Sequence, residues 1–571
     1  MKVQPRPPMS PPPAGVRRSA VAGALAATVA LAVTNLVDAL SGSVPSLVAV
    51  VGQAVIRNTP GFLSRGATES VGTADKPLLL ALIIVIALAV GARVGVAARR
   101  RRVVGDVVFV AFGLFAVGCA ASLENVPAGG ALVSAVLAAA AGAVTLRRLL
   151  TAADPVTPPA ERPAPADPVT PPADQVPAAD QVPAADEPHA EPGSEPEADA
   201  PVGPTAWPGQ HTVSRRRFLV AGSTAAGGAA VVLAGAWGLR RGLGAPAPQA
   251  SVTLPAARDA SAAVGQATRG FAEVDGLSPL ITPNKDFYRI DEALTVPRVN
   301  LDTWRLRVTG MVDGPFELSY DDLLALPLVE RHITLSCVSN EVGGPLVGTA
   351  RWLGVRLADL LTRAGVQPGA TQLVGRSVDG FTVGFPIEAA TDGRDAMVAV
   401  GMNGEPLPGG HGFPARLVVP GLYGYVSATK WLKEIELTTF EAFDAYWIER
   451  NWARRAPVKV QSRIDVPKNY GRVAAGERTV AGVAWAPHRG VGRVEVRVDQ
   501  GPWQEAALGP ELGADAWRQW SLPWDATPGE HVITTRATTG DGEVQTATRH
   551  SPFPDGATGQ HQVNVRVSAT G

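Results

Sequence analysis

Four apolar runs in the first 150 residues, set between arginines, constrain this chain more than any other feature. Residues 19–39, 77–98, 103–122 and 130–146 are rich in Ala, Val and Leu. Each approaches the roughly 20 residues that a helix needs to cross a hydrocarbon core about 30 Å thick, the last being the shortest and most Ala-rich. Arg17 and Arg18 precede the first run, four arginines at 99–102 follow the second, and Arg147 with Arg148 follow the fourth. Placing all three clusters in the cytoplasm satisfies the positive-inside rule with no exception. The stretch 42–60 then faces outward as an interfacial or re-entrant helix. Any one run could be a buried soluble helix, but four in succession between basic clusters argue for a membrane bundle over 1–151.

The next stretch lacks the means to fold. Residues 152–212 are dominated by Pro, Ala, Asp and Glu, with near-repeats DPVTPPA at 154 and 167 and DQVPAA at 174 and 180. With almost no large apolar side chains, nothing offsets chain entropy, and the segment reads as a semi-extended cytoplasmic spacer. Ser214-Arg215-Arg216-Arg217-Phe218-Leu219 then leads into a fifth apolar run ending near Leu239. This pattern resembles a twin-arginine export signal; three ordinary positive-inside arginines are the plainer reading. Either way 213–240 crosses once more, and everything after a linker at 241–264 lies outside the cytoplasmic membrane.

Composition removes several function classes. Fifty-one basic residues against 52 acidic ones give a formal charge of −1, which argues against a nucleic-acid surface. The two cysteines, Cys119 and Cys337, lie in an apolar run and a soluble segment, so no disulfide framework is legible. A lone soluble thiol is buried filler, a nucleophile or a metal ligand. All eight histidines lie at or after His189, which excludes a bis-histidine haem among the first four runs.

From 265 to 455, β-rich runs such as TWRLRVTGMV, HITLSCV and WLKEIELTTF alternate with turns and with helical stretches such as RLADLLTRAGV, giving an α+β domain. Four segments in this order and spacing carry more: ITPNKDFYRI at 281, TLSCVSN at 334, GRSVDGFTVGFPIEAA at 375, and MNGEPLPGGHGFPARLVVPGLYGYVSATKWLKEIEL at 402. They resemble the sulfite oxidase type of molybdopterin enzymes over about 265–571. The chemistry of the residues agrees. A thiolate is a soft ligand suited to molybdenum, guanidinium groups suit a phosphate, and a Gly/Pro-rich loop lets backbone amides approach an anion.

The resemblance implies a molybdenum–molybdopterin cofactor, with Cys337 as the metal ligand. It further implies Phe287, Tyr288, Arg289, Asp379, His411, Arg416 and Lys430 as cofactor contacts, and Cys337 with Arg289 for catalysis. Taken singly, Cys337 fits core filler, His411 a loop, Asp379 a turn, and Arg416 with Lys430 solvated strand edges. Departures concern the substrate side. The histidine that often follows the FYR stretch is replaced near Asp291, and Glu341 and Val342 stand where the family has two arginines. Trp452, beside Tyr446 and Trp447, falls at the position of a family tyrosine. An acid at the entry would repel a sulfite dianion.

Residues 456–571 read as all-β, with alternation in EVRVD at 495 and VNVRVS at 563. They resemble the immunoglobulin-like β-sandwich that follows the cofactor domain in this family and often forms a dimer contact. The expected whole is a multi-domain protein of the plasma membrane. It comprises an α-helical membrane bundle, an α+β sulfite oxidase-type domain and a β-sandwich, and performs two-electron oxo-transfer on a small molecule. Electrons pass to an external carrier, a cytochrome c or a quinone-linked protein. A sulfoxide reductase of the same family and a non-enzymatic surface module are the rival readings.

Overall fold

The structure, a computed structural model, describes residues 14–41, 44–60, 75–123, 126–153, 210–242, 251–261 and 271–569. The Pro-rich spacer at 152–212 lies almost wholly outside the described residues. The apolar runs form helices α1 (Ala14–Ser41), α3 (Asp75–Ala98), α4 (Val103–Ala121), α5 (Ala128–Ala153) and α6 (Gln210–Gly242), with α2 (Leu47–Asn58) between the first two. Among the described residues five helices are long and apolar enough to cross a membrane. They leave Val85, Leu114, Phe115 and Val231 more than half exposed, an apolar surface that only lipid or protein would cover. The twin-arginine motif lies at the start of α6.

The chain divides into two units, one of 1–29, 88–108 and 141–229, the other of 30–87, 109–140 and 230–571. In the first, a Cβ at Gly23 would fall 2.0 Å from the Gly91 carbonyl oxygen and one at Gly95 2.0 Å from that of Ser19. Helices α1 and α3 therefore meet backbone to backbone, which only small residues allow.

In the second unit the cofactor-type domain is built on two sheets. The first pairs strands in the order β2 (Phe316–Leu318), β1 (Leu306–Gly310), β10 (Leu432–Thr438), β5 (Gln372–Ser377) and β6 (Thr382–Pro386). The second runs β3 (Leu328–Ser336), β4 (Val347–Arg356), β7 (Met397–Met402) and β8 (Glu405–Pro406), with β9 (Arg416–Val418) also on β7. Strand β7 is buried at every position, which explains its continuous apolar run MVAVGM, and β3 and β4 are nearly as buried. One core joins both sheets and includes the fully buried Trp352 and Phe385. Its packing fixes the strand ends from which the site residues project.

Residues 251–261 depart from their expected role as linker. Leu328 and Glu330 of β3 exchange backbone bonds with 258–261, and Asp259 binds Arg331 and Arg356. The sequence VTLPAARDAS has no alternation to announce this, because the stabilising groups are backbone atoms and one carboxylate.

Beyond 456, two more sheets face each other. One is β11 (Gln461–Val466), β13 (Gly476–Trp485), β17 (Arg518–Ala526) and β16 (Ala507–Leu508). The other is β12 (Gly471–Ala474), β19 (His561–Ser568), β18 (Gly529–Thr539), β14 (Val491–Val498) and β15 (Gln504–Glu505). Val480, Trp520, Ile533 and Val565, drawn from both, share a core of their own. Trp517 stitches this region to the cofactor-type domain by donating its indole N–H to the Leu280 carbonyl at 2.8 Å.

Candidate active site

Cys337 is the first residue beyond β3, where the ladder with β4 ends. Its N–H donates to Leu346 at 2.9 Å, and Asn340 spans the loop by accepting from Leu346 N through Oδ1 at 2.8 Å. The loop is thus pinned on both sides of the thiol. Burial pushes the Cys337 thiol up, while hydrogen bonds from Ser339 and the Lys430 charge oppose that. Sequence reading left open whether this cysteine is core filler. It lines a cavity of about 110 Å³, the setting a ligand needs.

The same cavity takes in Phe287, Tyr288, Asp379, His411, Arg416 and Lys430. Six of the seven expected cofactor contacts other than Cys337 therefore meet the thiol in one place, although they come from segments up to about 140 residues apart. Phe287 stacks on Tyr288 and meets the His411 and Trp352 rings edge-on. His411 shares its Nε2 proton with the Asn284 carbonyl at 2.8 Å, and burial lowers its pKa to about 4, so the ring is neutral. Gly412, at φ 111°, carries the chain over Lys430, whose Cα would lie 3.0 Å from any Cβ there. Asp379 shapes its own turn by accepting from Phe381 N at 3.1 Å.

Arg289 stands apart. Its side chain is 45% exposed, it pairs with Asp291 at 2.9 Å, and it is not among the lining residues. Glu341 also lies away from the site: it is exposed and does not line the cavity, so it exerts no contact repulsion on an anion there. The expectation of an acid at the entry is corrected on that ground.

Several further residues shape the site, and the roles of most of them were not anticipated. Asp291, 5% exposed, gathers Lys430 at 2.9 Å, Lys76 at 3.1 Å and Arg289. Burial works to raise its pKa, but the three cations overcome that and hold the carboxylate well below its usual range. Burial likewise lowers Lys430 to about 8, against the pull of Asp291. Lys76 begins α3, and α2 adds more: Leu294 N donates to Gln53 Oε1 at 2.7 Å, and Arg57 Nη2 donates to the Asp379 carbonyl at 2.7 Å. Phe381, Tyr425, Trp447 and Trp452 supply an aromatic wall. The sequence signals for this group were the acid near the place of the histidine and the aromatic cluster Tyr446, Trp447 and Trp452. Nothing local in VGQAVIRN marks Gln53 or Arg57 as partners of residues more than 200 positions away.

The cavity suits an anionic, multiply hydrogen-bonding group bound next to a thiolate. Arg416 is 5% exposed, donates through Nη1 to the His411 carbonyl at 3.1 Å, and leaves Nε without a partner. A buried charged donor in that state is costly unless a ligand completes it. The Trp452 indole N–H is buried without a partner too. Among the described residues no cluster of three or more His, Cys, Asp or Glu could hold a metal unaided. A metal bound beside Cys337 would need ligands beyond these side chains.

A family model described as oxidoreductase molybdopterin binding domain matches residues 293–447. The chain is 30% identical over 286 residues to the sulfite oxidase of Arabidopsis thaliana, covering 42% of this chain and 72% of that protein. The chain belongs to the sulfite oxidase family. Human mitochondrial sulfite oxidase is 34% identical over 300 residues, covering 44% of this chain and 54% of that one, so the chain spans about half the length of that relative. Among solved structures, the sulfane dehydrogenase SoxCD of Paracoccus pantotrophus aligns with TM-score 0.45 and 24% identity, covering 50% of this chain and 81% of that one. The family implies a molybdenum–molybdopterin cofactor, and the donors just described fit it: one thiolate for the metal, and Arg416, Lys430 and His411 for the anionic pterin.

Proposed function

We propose that this chain is a membrane-anchored oxidoreductase that transfers oxygen between water and a small substrate at molybdenum, in a cavity outside the cytoplasm. The observation that carries the reading is the convergence of the Cys337 thiol, Lys430 and the incompletely paired Arg416 on one cavity. Bound there, the cofactor supplies two-electron redox chemistry and an exchangeable oxygen. The protein's own parts hold and orient it. Cys337 binds the metal; Arg416 and Lys430 neutralise the pterin phosphate; His411, Tyr288 and Asp379 fix its polar edge; and Phe287 packs the floor. Arg289 acts through Asp291, steadying the wall from outside the cavity. The aromatic side walls receive the substrate.

Electrons leave to an external one-electron carrier such as a cytochrome c, or to a quinone-linked protein. The five apolar helices and the placement of the arginine clusters support the plasma-membrane location and the outward catalytic domain. We further read the two-sheet region after 456 as immunoglobulin-like and as the surface for a homodimer. Phe381, Tyr425, Trp447 and Trp452 favour one alternative, reduction of an organic sulfoxide, because an apolar wall suits a substrate with alkyl groups better than a bare dianion.

Metal and pterin analysis of the purified full chain tests the reading, together with dye-linked assays on sulfite and sulfoxides. Equimolar molybdenum is expected, and Cys337→Ser should reach the membrane with turnover lowered at least 100-fold. Undiminished turnover in that variant removes the metal assignment.

A further inference from the structure

The cavity wall carries two adjacent carboxyls, and their surroundings differ in kind. Asp291 is saturated by Lys430, Lys76 and Arg289. Glu292 also lines the cavity, but its side-chain partner is the Tyr446 hydroxyl. Tyr446 is itself fixed: its N–H donates to Thr382 Oγ1 at 3.0 Å, and the Arg450 guanidinium lies 3.6 Å from its ring centroid. Arg450 also donates to the Tyr446 carbonyl at 2.8 Å and to the Arg57 carbonyl at 3.0 Å. Glu292 is held from behind as well, since its carbonyl accepts from Gln53 Nε2 at 3.4 Å. The charged and titratable groups around the carboxyl are therefore Asp291 on its own segment, Lys76 of α3, Arg57 of α2, and Arg450 with Tyr446.

Resting on the oxo-transfer reading, we propose that Glu292 is the proton acceptor of this cavity, with Tyr446 as the positioning residue that orients its carboxyl. The chemistry requires such a group. When a substrate lone pair is oxidised with an oxygen that comes from water, one oxygen atom is gained by the substrate. Two electrons pass to two equivalents of the external one-electron acceptor, and the water's two protons must leave. Glu292 takes them one at a time and returns them to solvent.

The other carboxyl, imidazole and ammonium groups that line the cavity have partners of their own. Asp291 stays ionised, Asp379 closes its turn, His411 spends its N–H on Asn284, and Lys430 donates to Ile290 and Asp291. Burial raises Glu292 to about 7, against the lowering effect of Tyr446, Lys76 and Arg450, so both protonation states are accessible at neutral pH. Two neighbouring carboxyls pushed apart in this way divide a structural role from a proton-transfer role.

The test uses the full chain in detergent with a redox dye, measuring turnover against pH, molybdenum content and the infrared band of protonated carboxyls. Wild type should lose rate as pH falls through Glu292 ionisation. Glu292→Gln should retain metal, lower turnover roughly 100-fold and abolish that acid limb; Glu292→Asp should restore part of the rate. Tyr446→Phe, which removes a hydrogen bond favouring the ionised carboxyl, should move the limb to higher pH, a shift that a merely structural role would not produce. A pH-titrating carboxyl band should vanish in Glu292→Gln. A metal-loaded Glu292→Gln chain that keeps both limb and band overturns this inference alone. A wild-type chain without molybdenum or pterin sinks the oxidoreductase reading instead.

Discussion

At position 291 a buried carboxylate gathers three cations, which makes it the electrostatic keystone of one cavity wall. Lys430 is 10% exposed and Asp291 5%, so removing the acid leaves a buried ammonium with no anionic side chain bonded to it, only the Ile290 carbonyl and the Trp431 ring. Breaking a buried pair from one side costs about 3–5 kcal/mol. Asp291→Asn should therefore lower the thermal midpoint of the purified chain by several degrees and reduce cofactor retention, and calorimetry with metal analysis checks both. The pH sign follows from the cations that depress the folded-state value. The stabilisation from Asp291 is present above the ordinary carboxylate range near 4 and is lost as pH falls below it, so the variant should be flatter in acid than wild type. Glu292 has the opposite sign: its raised value favours the folded state at low pH, and that contribution fades as pH rises through about 7. A thermal midpoint for Asp291→Asn equal to wild type would show that Lys430 is stabilised by other means.

Helix α2 shows what an element can do that its sequence does not announce. Its apolar residues Leu47, Val48 and Val50 are buried, yet the polar Gln53 and Arg57 reach the segment 292–294 and the Asp379 turn. A neutral hydrogen bond is worth about 0.5–1.5 kcal/mol and one from a guanidinium about 1.5–3. Replacing Gln53 and Arg57 by Ala should therefore speed amide exchange over 290–295 by at least 10-fold while leaving the strands β3 and β4 protected. Hydrogen-exchange mass spectrometry resolves the two regions, and unchanged exchange at 290–295 would mean that the wall is rigid without α2.

The apolar runs, their arginine borders and the order of the four cofactor segments were legible because each is a local pattern with a direct physical cause. The runs at 77–98 and 103–122 fall within a residue or two of α3 and α4. Cys337, Arg416 and Lys430 were readable as a set only through family spacing. The Asp291 hub, the Glu292–Tyr446 pair and the α2 clamp were not readable, since each joins positions remote in sequence through single polar atoms.

For the whole molecule, the decisive quantity is which side of the membrane each charged segment occupies. Moving the arginines at 99–102 across a bilayer would cost several kcal/mol at least, since translocon-based scales give about 2.5–3.5 kcal/mol for each charged residue at the core centre. Keeping them inside orients α3 with Lys76 outward, and Lys76 is bonded to Asp291 of the cavity wall. One orientation thus satisfies both the basic clusters and the contact that completes the site. In a Cys119→Ser background, Tyr470→Cys, at a position 80% exposed, should react in intact cells with a membrane-impermeant maleimide. Arg101→Cys should react only after permeabilisation. Labelling of Arg101→Cys in intact cells would invert the topology and overturn the outward placement proposed for the cavity.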